Sequence, residues 1–207
     1  GLREEQLHRK EQYDEYKNRI LWKSLHEYKN VLPIILPEHC HQSTMMERTI
    51  DMIKTPFMFY VEGDIAFKDN LDIDWEEVFN LLASEQAYTV RFDTFNKNIH
   101  REHRYLMLGQ EGNFIKTFQW SQQPHLSYVS YYRDMVLPNT TPKLFIEDKF
   151  YGKVFSDCHE TKDRWDEHRL WLYNPPKKDI RIVDNLDGRK NLRKFTSDDE
   201  AWGLTEA

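Results

Sequence analysis

Small, apolar and aromatic residues at Tyr13, Tyr16, Ile20, Leu21, Ser24, Leu25 and Tyr28 recur every three or four positions with charges between them. This stripe predicts helix across the first thirty residues. The run Val31-Leu32-Pro33-Ile34-Ile35-Leu36 reads as a short buried strand, which Pro33 pushes toward a sheet edge or a loop. Thr44 followed by Glu47 forms a capping-box pattern that opens a helix over 45–54, and Thr55-Pro56 ends it. Next comes the most continuous apolar run, Phe57-Met58-Phe59-Tyr60-Val61. Its lack of alternation predicts a strand covered on both faces, as central parallel strands are. Asp74 can cap a helix over 75–84, and Tyr88-Thr89-Val90-Arg91-Phe92 reads as another strand. Strand and helix alternating at this spacing imply βαβ units and an α/β fold, a three-layer α/β/α sandwich with a mixed, mostly parallel sheet.

In the second half the elements shorten. Residues 104–108 and 114–120 are strand candidates around a hairpin bounded by Gly109 and Gly112. Residues 127–135 and 146–155 read as helices, the latter with a stripe of Ile146, Phe150, Tyr151 and Val154. Strands are expected at 170–173 and 180–183, around the turn Asn174-Pro175-Pro176-Lys177. No repeat or low-complexity linker divides the chain. Residues 1–195 therefore read as one domain and 196–207 as an acidic, flexible tail.

Composition narrows the classes. The 207 residues carry 29 Lys plus Arg against 35 Asp plus Glu, a formal net charge of −6. Aromatics make up 14%, enough apolar surface to offset chain entropy and exclude a disordered chain. No apolar run approaches the roughly 20 residues needed to span a bilayer. The charged start Gly1-Leu2-Arg3-Glu4-Glu5 is not expected to be a secretory leader. Net acidity argues against nonspecific coating of nucleic acid and leaves a local basic site open. Two cysteines, Cys40 and Cys158, fit a reducing compartment, so a cytoplasmic location is expected. His39-Cys40-His41 with Cys158-His159 does not have the spacing of a zinc module.

Three features carry candidate chemistry. Glu62-Gly63-Asp64 follows the 57–61 strand, and in open α/β sheets ligands sit outside the carboxyl ends of strands. Hard carboxylate oxygens there suit Mg²⁺ or Mn²⁺, and Gly63 permits close approach of the backbone to a ligand. Phe145-Ile146-Glu147-Asp148 opens a helix, where the macrodipole keeps carboxylates ionised as a general base requires. Residues 176–194 hold seven basic residues against three acidic ones, a concentration suited to an anionic diphosphate, with Arg189 beside Gly188 the favoured contact.

Thr55-Pro56-Phe57-Met58-Phe59-Tyr60-Val61-Glu62-Gly63-Asp64 resembles the metal-binding strand and acidic motif of GT-A-fold glycosyltransferases, in particular family-two-like viral, phage and bacterial members. Phe145-Ile146-Glu147-Asp148-Lys149 is similar to the Glu-Asp motif that supplies their general base. Trp120-Ser121-Gln122-Gln123-Pro124-His125 lies between them, where such enzymes shape the sugar and acceptor pocket. Asn185-Leu186-Asp187-Gly188-Arg189 looks like their C-terminal motif, with Asn185 where His often stands. The order matches over about residues 15–190. The resemblance implies an inverting transferase that moves a sugar from a nucleoside-diphosphate sugar to an acceptor hydroxyl, on a glycan or a hydroxymethylated DNA base. It implies Asp64, Glu62 and Asp187 as ligands of Mn²⁺ or Mg²⁺, Asp148 as base with Glu147 beside it, and Gly63, Trp120, His125, Asn185 and Arg189 as sugar, acceptor or nucleotide contacts. His159 is a further candidate metal ligand. The first strand of such folds, which reads the nucleotide base, has no counterpart before Tyr13.

Two other classes compete. A noncatalytic module would bind a nucleotide sugar or glycan without turnover. A two-metal nucleotidyltransferase would also place acidic pairs at strand ends, but the chain lacks an obvious Gly-rich phosphate loop.

Overall fold

A computed structural model of the chain describes residues 4–68, 73–93, 101–175 and 182–185. Its helices are α1 (Lys10–His26), α2 (His41–Thr49), α3 (Trp75–Ala83), α4 (Val129–Tyr131) and α5 (Glu147–His159). Its strands are β1 (Phe57–Tyr60), β2 (Ile65–Phe67), β3 (Thr89–Arg91), β4 (Met107–Glu111), β5 (Phe114–Thr117), β6 (His125–Tyr128), β7 (Leu170–Tyr173) and β8 (Val183–Asn185). Six strands form one sheet in the order β1-β6-β3-β7-β5-β4, and β2 pairs with β8 in a separate antiparallel ribbon.

The chain is α/β with a mixed sheet, but the expectation of a mostly parallel sheet is corrected. Among the described residues only β3 and β7 are parallel neighbours; β1/β6, β6/β3, β7/β5 and β5/β4 are antiparallel. The cause is interleaving. β1, β3 and β7 all run the same way, as βαβ spacing suggests, but β6 inserts between β1 and β3 in the opposite direction. The strand after Glu111 likewise returns through a tight hairpin, with Gly112 at φ 57 in the left-handed region that a side chain resists.

The 57–61 run is corrected too. It lies at the edge of the sheet rather than at its centre, and Phe59 is 43% exposed. Its continuous apolarity serves ring packing instead. Phe57 meets Phe79 and Tyr128, while Phe59 meets Phe67, Trp75 and Phe92. Cross-strand partners share a face, so Phe57 and Tyr128 show that α3 covers one side of the sheet. Tyr60 and His125 point to the other side, where His125 meets Tyr132 just beyond α4 and Trp120 meets Phe150 of α5.

Asp74 caps α3 as expected, its side chain accepting from the Glu77 N–H. Thr44 behaves differently. α2 begins at His41, so Thr44 is a buried residue of its first turns, and its hydroxyl accepts from the Lys143 N–H. Ser43 donates to the Thr141 carbonyl and accepts from the Leu144 N–H. Together these bonds fasten α2 to the 141–144 loop. Residues 31–36 form no strand, and Leu32 and Ile35 are exposed. The helix expected from 127 starts at Val129, because residues 125–128 are claimed by β6. α4 runs directly into a π-helical turn, Tyr132–Val136. No helix among the described residues is long and apolar enough to cross a membrane.

Candidate functional site

Tyr60, His125 and Arg91 stand opposite one another across β1, β6 and β3, marking the edge where β1 and β3 end. β1 leaves this edge into the turn Glu62-Gly63-Asp64, closed by the Ile65 N–H on the Glu62 carbonyl at 3.1 Å. The turn leads into β2, where Ile65 pairs with Asn185 of β8. The backbone of Asn185 is thereby brought beside the acidic turn, although 121 positions separate it from Asp64 in sequence.

Gln122 joins the two acidic motifs. Its backbone N–H donates to Glu147 Oε2 at 3.0 Å, and its side-chain Oε1 accepts from the Glu147 N–H at 3.1 Å. This reciprocal pair acts like a capping box built from a distant loop, holding the Glu147 carboxylate at the start of α5. The Gln122 Nε2 donates to the Tyr60 hydroxyl and to Gln42 Oε1. Tyr60 and Gln42 in turn both donate to Glu62 Oε1. One continuous network therefore runs from Glu147 to Glu62 through side chains of α2, β1 and the loop before β6.

Burial raises the Glu62 carboxyl above the ordinary carboxylate range, and the charges acting on it, Asp64 and Glu147, are both negative and push the same way. Donation from Tyr60 and Gln42 works against that rise. Tyr60 is itself raised, first by burial and then by Glu62, so it stays a neutral donor. Carboxylate oxygens are the donor type that suits a hard divalent cation such as Mg²⁺ or Mn²⁺, but Glu62, Asp64 and Glu147 do not bring three ligand atoms within 4.8 Å of one another as Asp157, Glu167 and His168 do. A Cβ at Gly63 would meet nothing within 4 Å, so the backbone there faces open space.

His125 lies behind this network and is fully buried. Its Nδ1 faces the Gln123 carbonyl at 2.7 Å, which can only accept, so Nδ1 carries the proton and Nε2 accepts from the Tyr132 hydroxyl at 2.6 Å. Burial lowers its pKa from 6.5 to about 4. Between those values the unfolded chain binds the extra proton and the folded chain does not, so stability falls as pH drops through this window. We expect His125 to make the protein about 2 kcal/mol less stable at pH 5 than at pH 7 in urea denaturation. A His125→Gln variant with the wild-type pH slope would assign that dependence elsewhere.

The residues singled out from sequence fall into three groups. Glu62, Gly63, Asp64 and Glu147 gather at one edge, with the Asn185 backbone beside them. Asp148 is exposed next to Glu147 on α5. Trp120 and His125, expected as ligand contacts, are buried in the core, where Trp120 is 2% exposed against His125, Tyr132 and Phe150. Asp187, Arg189, most of the 176–194 basic segment and the 196–207 tail lie outside the described residues. His159 ends α5 and stacks on Phe155.

Sequence reasoning missed Gln42, Tyr60 and Gln122. Tyr60 was visible as the polar-tipped residue ending an apolar strand. The glutamines carried no such signal, because their partners are far away along the chain. A second polar cluster is also new: Asp157 accepts from His168 Nε2 at 2.9 Å, and the Tyr131 hydroxyl meets His168 Nδ1 at 2.8 Å. Asp157, Glu167 and His168 are close enough to share an ion, but Lys153 and Arg164 already pair with Asp157, and Arg164 with Glu167. That group is a self-neutralised ion-pair network. Comparison with protein-family models, curated proteins and solved structures finds no match to this chain.

Proposed function

We propose that the chain is a divalent-metal-dependent inverting glycosyltransferase that moves a sugar from a nucleoside-diphosphate sugar to an acceptor hydroxyl of a glycan or a hydroxymethylated DNA base. The observation that carries this reading is the network joining Glu62 to Glu147 through Gln122, because it brings together the two acidic motifs on which the resemblance rests. Asp64 and Glu62 would hold Mn²⁺ or Mg²⁺, which when bound offsets charge on the departing diphosphate.

The chain's own groups divide the remaining work. Asp148, exposed at the start of α5, takes the proton of the acceptor hydroxyl. The acceptor oxygen bonds to the anomeric carbon as that carbon's bond to the diphosphate oxygen breaks, which inverts the centre and releases the nucleoside diphosphate. Glu147 is committed to the Gln122 N–H and is therefore suited to fix the start of α5 rather than to accept a proton.

The test is direct. UDP-glucose, UDP-galactose and GDP-mannose are each incubated with the protein in Mn²⁺, in Mg²⁺ or in EDTA, and free UDP or GDP is measured. Release that requires the metal is expected. Metal-dependent binding without release would favour the noncatalytic module, and pyrophosphate as product would favour nucleotidyl transfer. Neither binding nor release with any of the three sugars would overturn the proposal.

A further inference from the structure

Beside the start of α5 lies an exposed ring, Phe145, backed by the half-buried His41, and the network uses neither. Phe145, 49% exposed, lies two residues before Glu147, and the His41 ring meets it edge-on with centroids 4.3 Å apart and planes at 86°. His39 meets His41 in the same edge-on manner at 5.9 Å. His41 directly precedes Gln42, whose amide reaches Glu62. The rings therefore sit where α2 and α5 begin, alongside the carboxylates.

Their placement is held at a cost. His41 has φ 57 and Lys143, in the loop fastened to α2, has φ 61, both in the left-handed region that non-glycine residues avoid. The bonds from Ser43 and Thr44 to the 141–144 loop impose this arrangement. The Gln42 N–H donates to His41 Nδ1 at 3.0 Å, which fixes the ring and leaves the proton of the neutral imidazole on Nε2 as a donor.

A large apolar ring left open beside hydrogen-bonding groups asks for a ligand with one apolar face and a polar rim. A pyranose is such a ligand: its C–H face lies on an aromatic ring while its hydroxyls reach carboxylates, amides and an imidazole N–H. Glu147 and Asp148, two and three positions after Phe145, favour a neutral ring on that aromatic face over a phosphate. We propose that Phe145 and His41 form the platform on which a sugar ring of the reaction lies. This rests on the transferase reading, and both the transferred sugar and an acceptor sugar present the required face.

The experiment separates these sources. Saturation-transfer NMR follows methyl β-D-glucopyranoside, methyl β-D-galactopyranoside and methyl α-D-mannopyranoside. Calorimetry in Mn²⁺ follows UDP-glucose, UDP-galactose and GDP-mannose beside UDP and GDP alone. Phe145→Ala is expected to weaken sugar binding about tenfold, while Phe145→Trp holds it within about threefold. Loss confined to the free pyranosides assigns the platform to an acceptor. Loss for a nucleotide sugar that exceeds the loss for its nucleoside diphosphate assigns it to the transferred ring. If wild type binds no probe, or if Phe145→Ala alters neither class, the inference falls. Metal-dependent binding of a nucleotide sugar that ignores Phe145 would sink the platform and keep the transferase. Phe145-sensitive pyranoside binding without any nucleotide or metal binding would do the reverse.

Discussion

Asp64→Asn is expected to lower Mn²⁺-dependent release of nucleoside diphosphate by about 10³-fold, since several kcal/mol of charge stabilisation depend on the ion it would help to hold. The replacement is nearly isosteric and sits in a half-exposed turn, so folding should survive. It should even gain slightly. Asp64 is one of the two negative charges that raise the Glu62 carboxyl, and its removal relieves that repulsion. The expected signature is therefore lost turnover and weaker Mn²⁺ binding by calorimetry, with an unchanged or higher melting temperature. Turnover within tenfold of wild type would remove Asp64 from the mechanism. Loss of turnover accompanied by unfolding would remove the electrostatic account.

Trp120→Ala should cost about 3–5 kcal/mol of stability, the range for deleting a large aromatic from a packed core. Trp120 touches His125, Tyr131, Tyr132 and Phe150, joining the β6 face of the sheet to α4, its π-helical continuation and α5. Its removal would open a cavity that rings held by hydrogen bonds cannot readily fill, because the Tyr132 and Tyr131 hydroxyls are tied to His125 and His168. Trp120→Phe should be far milder. It loses volume, but it also removes a buried indole N–H that finds no acceptor among the described residues. Urea denaturation of both variants checks this. An alanine variant as stable as wild type would show that the ring contributes little to the core and would reopen its assignment as a surface for sugar.

What could be read from sequence divides by the range of the interactions involved. Local signals were reliable where one element satisfied itself. Asp74 capping α3 and the apolar stripe of α5 depend on neighbours within a few residues. The hairpin, by contrast, was found with its first strand misplaced, since 101–106 is 3-10 helix and β4 runs over 107–111 through the expected turn. Strand order was not legible, because β6 is a short half-polar segment, His125-Leu126-Ser127-Tyr128, whose insertion between β1 and β3 no local pattern announces. The same limit explains Thr44. A capping box and a buried hydroxyl that receives the Lys143 N–H look identical in sequence. In the site, the carboxylates were found because acids after an apolar strand are chemically conspicuous. Gln122 was not, because a side-chain amide acquires its meaning only from the three groups it meets.

The bonds that close the candidate site span long stretches of chain. Gln42 to Gln122 crosses 80 positions and Ser43 to Leu144 crosses 101, whereas the acidic turn itself forms among neighbours. Such closures must spend chain entropy before any contact repays it, so they form late and open early. A growing polypeptide would display Glu62 and Asp64 well before α5 exists to face them. In a mature molecule, a small opening between α2 and the 141–144 loop would withdraw Gln42 from Glu62 and Gln122, leaving Tyr60 and Gln122 as the bridge to Glu147 while the six-stranded sheet stayed intact. Loosening of α2 is thus expected at a milder denaturant concentration than loss of the sheet, which hydrogen exchange at the Leu144 and Gln42 amides against that of β3 and β7 would resolve.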